Sequence, residues 1–319
     1  MSQTKKRAQS ALAAGLLAAG AITLLGGSSA TAVAGSAECV DAHSAARGKP
    51  GTTGHDANEV SDAQAAEMNA DLRKKVMEAN QRGALSALAT GGTINVVFHV
   101  VSTTSGTGTL TDAAITKQMN VLNAGFAGAE SSAAANTGFK FVLQKTNRYT
   151  NNTWFTSGGD DGSATERAMK TQTRTGTAST LNVWSVDIPD GGFGFATFPS
   201  WYSGDPKMDG VVIDYDTVPG GVLEHFNLGK TLTHETGHWM GLWHTFQGGC
   251  SKTNDEVADT PAQKNPTSGC PSGQDTCPAA GVDPIHNYMD YSYDDCYNQF
   301  TAGQNTRMQS AWTAYRSGK

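Results

Sequence analysis

Runs of positive charge are missing from this sequence. Charged residues are only 16% of its 319, and the formal net charge is −6, so nothing in it suits a nucleic-acid backbone. Past the first forty residues no stretch is apolar enough to span a bilayer. Cysteine is scarce, at five residues, and no two are spaced C-x-x-C, which argues against a cysteine-built zinc module. No internal repeat is evident. These absences leave a soluble globular chain, long enough for one sizeable domain with extensions.

The start of the chain is read as processing rather than fold. "KKRAQS" is followed by the uncharged apolar run "ALAAGLLAAGAITLLGG" and by small residues, with Ala-x-Ala at Ala30 to Ala32 and at Ala32 to Ala34. That is the layout of a secretory signal peptide, assigned to residues 1–37, and it predicts a secreted, extracellular protein without a membrane anchor. Cys250, Cys270, Cys277 and Cys296 crowd one C-terminal stretch and are expected to pair in an oxidising compartment. Four cysteines allow three connectivities, and spacing alone does not choose. Cys39 stands apart.

Residues 38–90 are polar and Ala-rich and read as a pro-segment, removed between Arg82 and Gly92. "SDAQAAEMNADLRKKVMEANQRG" predicts a helix capped by Ser61, with Ala65, Met68, Leu72 and Val76 recurring on one face. From about residue 91 to 319 the pattern is that of a folded domain. "TINVVFHVV", "GFKFVLQ", "TLNVWSVDI", "GFATF" and "DGVVIDYD" read as strands. Helices are expected over "LTDAAITKQMNVLNAGF", around "TERAMKTQT", and over "TAGQNTRMQSAWTAYR", where Thr301 and Gln304 form a capping box. Strand, helix, several strands and a late helix predict an α/β sandwich with helices laid on a sheet.

The chemistry concentrates in "THETGHWMGLWH", Thr233 to His244. His234 and His238 are four apart, so on a helix their side chains share one face, about 5–6 Å apart at Cβ. Two imidazoles so placed can reach one zinc. A continuous helix would carry His244 roughly 9 Å further along its axis, too far to converge. Gly241 resolves this, because glycine takes left-handed backbone angles at little cost and lets the chain turn back. Three neutral histidines leave zinc an open position for a water of lowered pKa. Glu235 beside that water can take its proton and later protonate a leaving amine. A bare HExxH arises by chance at roughly the half-percent level in a chain of this composition, and HExxHxxGxxH at about two in 10⁵. The other histidines read as ordinary residues: His43 and His55 lie in the polar segment, His99 alternates within a strand, and His225 and His286 lack partners at ligand spacing.

"HETGHWMGLWH" followed by "NYMDY" resembles the metzincin clan of zinc endopeptidases. Within it, "GFATFP", "DGVVID", "DEVADTPAQ" and the interleaved cysteines resemble the pappalysin family. The resemblance implies a metzincin-like α/β (α+β) fold: a twisted, mostly parallel sheet, an active-site helix and a loop-rich C-terminal subdomain. It implies that His234, His238 and His244 bind zinc, that Glu235 is general base and acid, that Met289 floors the metal, and that Tyr291 stabilises the oxyanion. It also favours the pairs Cys250–Cys277 and Cys270–Cys296, and makes the strand ending at Pro199 the edge on which an extended peptide lies.

Three further expectations come from single segments. "NDEVADTPAQ" offers calcium ligands at Asp255 and Asp259 with carbonyls near Val257 and Thr260. Cys39, in the pro-segment, can occupy zinc's open position as a thiolate. Asp294, in "DYSYDDC", can sit at the base of a pocket that prefers Arg or Lys after the scissile bond, the rival reading being a solvated or backbone-bonded turn residue. The expected enzyme is a monomer acting on proteins or peptides. The alternatives are a catalytically silent secreted binding protein on the same scaffold and a zinc hydrolase of a non-peptide substrate.

Overall fold

The computed structural model describes residue 49 and residues 58–81, 91–189 and 191–319. The expected signal peptide, Cys39 and nearly all of the expected processing region lie outside them. Strands β1 (Gly92–Ser102), β2 (Phe139–Thr150), β3 (Thr180–Val186), β4 (Gly194–Ala196) and β5 (Val211–Asp214) form one sheet in the order β2-β1-β3-β5-β4. All pairings are parallel except that of β4 with β5. The parallel ladder needs helical crossovers. One is α2 (Asp112–Phe126), which starts where the hydroxyl of Thr111 accepts from Ala114 N–H; it follows α1 (Asp62–Gln81) in the chain.

Alternation along β1 splits its side chains between two cores. Ile94, Val96, Phe98 and Val100 pack with Met119, Leu122 and Phe126 of α2 and with Leu232 and Trp239 of α5 (Lys230–Trp239). Val101 faces the other way, onto Phe155 of α3 (Asn152–Ser157) and Met169 of α4 (Ala164–Thr173). His99 lies on that second side, fully buried, its ring stacked 4.9 Å from Trp184 and its Nε2 3.0 Å from Asn182 Oδ1. Burial holds its pKa down at about 4. It is a structural histidine, far from any ligand role.

The chain after α5 is mostly loop until α6 (Ala302–Ala311), where the capping box of Thr301 and Gln304 forms as expected. Cys250–Cys277 and Cys270–Cys296 cross-link this subdomain. Past α6 the chain returns to the end of α5. Arg316 is buried, donates to the carbonyl of Trp239 at 3.0 Å, and pairs with buried Asp209 at 3.1 Å. The apolar stripe of α1 is covered: Ala65 and Met68 pack on Phe198 and Trp243, and Leu72 and Val76 on Ala311 and Tyr315. Among the described residues no helix is long and apolar enough to cross a membrane.

Candidate metal centre

Every residue of α5 is buried. The helix has no cap of its own at Gly229; instead Asp294, from the far end of the subdomain, accepts from Leu228 N–H at 2.9 Å and Lys230 N–H at 3.3 Å. A carboxylate there meets the first N–H of the helix and the positive end of its dipole. So Asp294, read from sequence as a pocket residue, is buried and bonded to backbone, while Asp295 beside it is exposed.

At its other end α5 stops in a left-handed turn. Gly241 has φ +97°, Leu242 N–H reaches Gly237 O at 3.0 Å, and Gly241 N–H reaches His238 O at 2.8 Å; these are the two bonds of a Schellman cap. A β-carbon at Gly241 would also lie 2.8 Å from Ala311 Cβ. The turn does two things for the histidines. It sends His244 back toward the helix, and it presents the carbonyl of Leu242 to His238 Nδ1 at 2.8 Å.

The result is convergence. His238 Nε2 lies 3.1 Å from His234 Nε2 and 3.0 Å from His244 Nε2. His234 Nδ1 is held by the carbonyl of Tyr288 at 2.5 Å. A carbonyl can only accept, so Nδ1 of His234 and of His238 carries the hydrogen, and each Nε2 presents a lone pair to the others. Nitrogens each about 2.0–2.1 Å from one zinc lie about 3–3.4 Å apart at near-tetrahedral angles. The donor set fits a zinc ion.

Met289 is fully buried, its sulfur packed against Gly237 of α5 and its carbonyl accepting from Thr245 N–H at 3.1 Å. The ring of Tyr291 stands edge-on to His244 at 4.8 Å between centroids, with His234 at 6.0 Å. Glu235 is fully buried and runs alongside β4: a β-carbon on Gly194 would meet its Cγ at 2.9 Å and its Oε1 at 3.1 Å. β4 is the sheet edge, as the sequence predicts for this segment, and Phe193 and Thr197 face β5. The outward N–H and C=O of Ala196 are taken by the side-chain amide of Asn58, at 2.8 and 2.7 Å. Four residues on, at the start of α1, Asp62 bonds Gln247. Further along α1 Asn69 Oδ1 accepts from Trp243 Nε1 and Arg307 Nη2. No sequence signal marks these asparagines, because their partners are more than a hundred residues away.

The acidic loop divides differently from the expectation. Asp255 is buried, and its Oδ1 accepts from Thr260 Oγ1 at 2.6 Å and Val257 N–H at 3.1 Å. Its Oδ2 is buried without a hydrogen-bond donor, and Asn254 Oδ1 beside it likewise. Burial pushes the Asp255 carboxyl up to about 7. Asp259, expected next to it, turns away and gives both oxygens to the start of α6, at Thr301 Oγ1 and Gly303 N–H. A helix N-terminus attracts a carboxylate, and that contact wins.

The sequence profile of peptidase family M43, described as pregnancy-associated plasma protein-A, matches residues 182–313. The chain is similar to an extracellular metalloprotease of Pyricularia oryzae, 47% identical over 76% of this chain and 82% of that one. It is also similar to one of Verticillium alfalfae, 45% identical over 85% and 93%. Among solved structures it is similar to mature mirolysin of Tannerella forsythia in complex with a cleaved peptide, with 32% identity, TM-score 0.60, and 68% and 90% of the two chains covered. A promirolysin mutant from the same organism gives 28% identity and TM-score 0.66 over 82% and 94%. With relatives this close spanning most of both chains, and with a metal-ready histidine triad on its central helix, this chain belongs to peptidase family M43, the pappalysins, zinc metalloendopeptidases of the metzincin type.

Proposed function

We propose that the chain is exported by residues 1–37, kept latent by residues 38–90, and acts outside the cell as a monomeric endopeptidase on proteins and peptides. His234, His238 and His244 hold zinc. When bound, the metal supplies a water of strongly lowered pKa and positive charge beside the scissile carbonyl. Glu235 takes a proton from the attacking water and passes it to the departing amine. Its burial against Gly194 supports this role, since an extended peptide bonded along β4 passes directly over it. Tyr291 donates its phenol to the developing oxyanion, and Met289 supports the three histidines from below.

The same reading extends to the remaining sites. The wider cover by promirolysin than by the mature enzyme, 82% against 68% of this chain, supports a pro-segment at residues 38–90. Cys39 lies outside the described residues; as a thiolate it would take zinc's open position in the latent form. Calcium binds at Asp255 with Val257 and Thr260, supported by the buried, donorless Oδ2. Asp294, beyond its helix contacts, gives the pocket its preference for Arg or Lys after the cut.

The observation that carries the proposal is the mutual approach of three Nε2 atoms, two of them forced by carbonyl partners to act as acceptors. The test is casein cleavage by processed protein with and without a chelator, beside Glu235→Gln. The variant should keep its zinc and lose roughly 10²–10⁴ in kcat. Cleavage that persists without metal, or in Glu235→Gln, overturns the mechanism.

A further inference from the structure

The carbonyl that orients His234 belongs to Tyr288, and the other end of Tyr288 leads away from the metal centre. Its hydroxyl bonds Oε2 of Glu130, in the loop after α2. Oε1 of the same carboxylate pairs with Lys230 Nζ. Lys230 stands four residues before His234 on α5, on the same face. Its ammonium lies 5.6 Å from the centre of the Tyr288 ring. Tyr288 is fully buried against Phe300. Gly125 of α2 makes room for it, since a β-carbon there would lie 3.3 Å from the phenol oxygen.

One carboxylate thus joins the two elements whose relative position decides where His234 points: the helix that carries it and the turn whose carbonyl holds its Nδ1. The partner of a ligand's second nitrogen governs ring orientation and metal affinity. Here that partner is main chain, so its placement depends on whatever holds residue 288. We propose that Glu130, which stands outside the histidine triad, is a positioning residue for the zinc site, setting through Lys230 and Tyr288 where the Tyr288 carbonyl meets His234. This rests on the assignment of His234 as a zinc ligand.

The test is zinc affinity of the full chain, by competition with a chromogenic chelator, together with the visible absorption of the cobalt-substituted protein. Glu130→Gln and Tyr288→Phe should each weaken zinc about 10- to 100-fold and shift the cobalt bands. The double variant should be no worse than the weaker-binding single, because both break one linkage. Asp112→Asn, which breaks only the surface pair with Arg148, should change neither. Should Glu130→Gln fail to fold, Tyr288→Phe decides alone, since it keeps the ring and its packing. Wild-type affinity and an unshifted spectrum in the variants, or additive losses in the double, would overturn the role of Glu130 while leaving the ligand assignment intact. A wild type that binds no zinc overturns both.

Discussion

The sulfur of Met289 occupies the place where a β-carbon on Gly237 would stand. Gly237 lies between His234 and His238 on α5, so Met289 and the helix that carries the histidines touch through a glycine. Alanine at 237 would gain about 1 kcal/mol of helix propensity, but overpacking a rigid core costs about 1–3 kcal/mol. Gly237→Ala should therefore lower both the melting temperature and the bound zinc. Adding Met289→Ala should return part of the zinc by making space. No change in either quantity would mean the contact is slack.

Acid should weaken the fold through His99. Its folded pKa of about 4 lies below its ordinary 6.5, so between these values the unfolded chain takes up a proton that the folded chain refuses. The contribution is fully present above pH 6.5 and falls away toward pH 4, by about 3 kcal/mol in all. Urea unfolding of wild type and His99→Gln at several pH values isolates it, because zinc ligands titrate alike in both. Equal losses on acidification would assign the acid sensitivity elsewhere.

Calcium removal should separate two aspartates that sequence alone treats alike. Depletion is expected to lower the melting temperature of the wild type and to have no effect on Asp255→Asn. Asp259→Asn should cost about 1 kcal/mol as a lost helix cap yet keep its response to calcium. If wild type melts identically with and without calcium, the loop is only an acidic turn.

Latency should depend on α1. Asn69→Ala leaves the Trp243 indole without its acceptor and removes one from Arg307, a loss of about 1–3 kcal/mol for buried groups. Cleavage of a short peptide by unprocessed protein should rise roughly tenfold. Cys39→Ala, assayed in the same way, should also be active before processing; latency equal to wild type removes the thiolate from the scheme.

A proteome-derived peptide library digested by the mature enzyme should show Arg or Lys directly after the cut. Asp294→Ala should flatten that preference, and because Leu228 and Lys230 lose their acceptor it should lower the melting temperature as well. Zinc content measured on the same sample distinguishes lost selectivity from a lost site. Aliphatic residues after the cut in wild type would end the idea.

The parts of this molecule that were legible in the sequence are those whose partners are near in the chain. The triad spans eleven residues, and the caps at Thr111 and Thr301 reach three. The stripe on α1 announced a buried face without saying what would cover it. β2 runs on to Thr150, well past the apolar "GFKFVLQ", because its outer half is partly exposed while its ladder with β1 continues. Glu130 stands in "AGAESSAAA" with no periodicity around it, and its partners are 100 and 158 residues away. Nothing local distinguishes such a residue from a solvated loop carboxylate.

Asn58 meets β4 through the main-chain N–H and C=O of Ala196. A partner held at that edge is gripped by its peptide groups, which are the same in every protein. What the edge does require is a segment free to straighten and unengaged with a sheet or helix of its own. On the proposed mode of binding, the first discrimination is by conformation: a tightly folded target would be passed over, and the same target cut where a loop opens or a domain loosens.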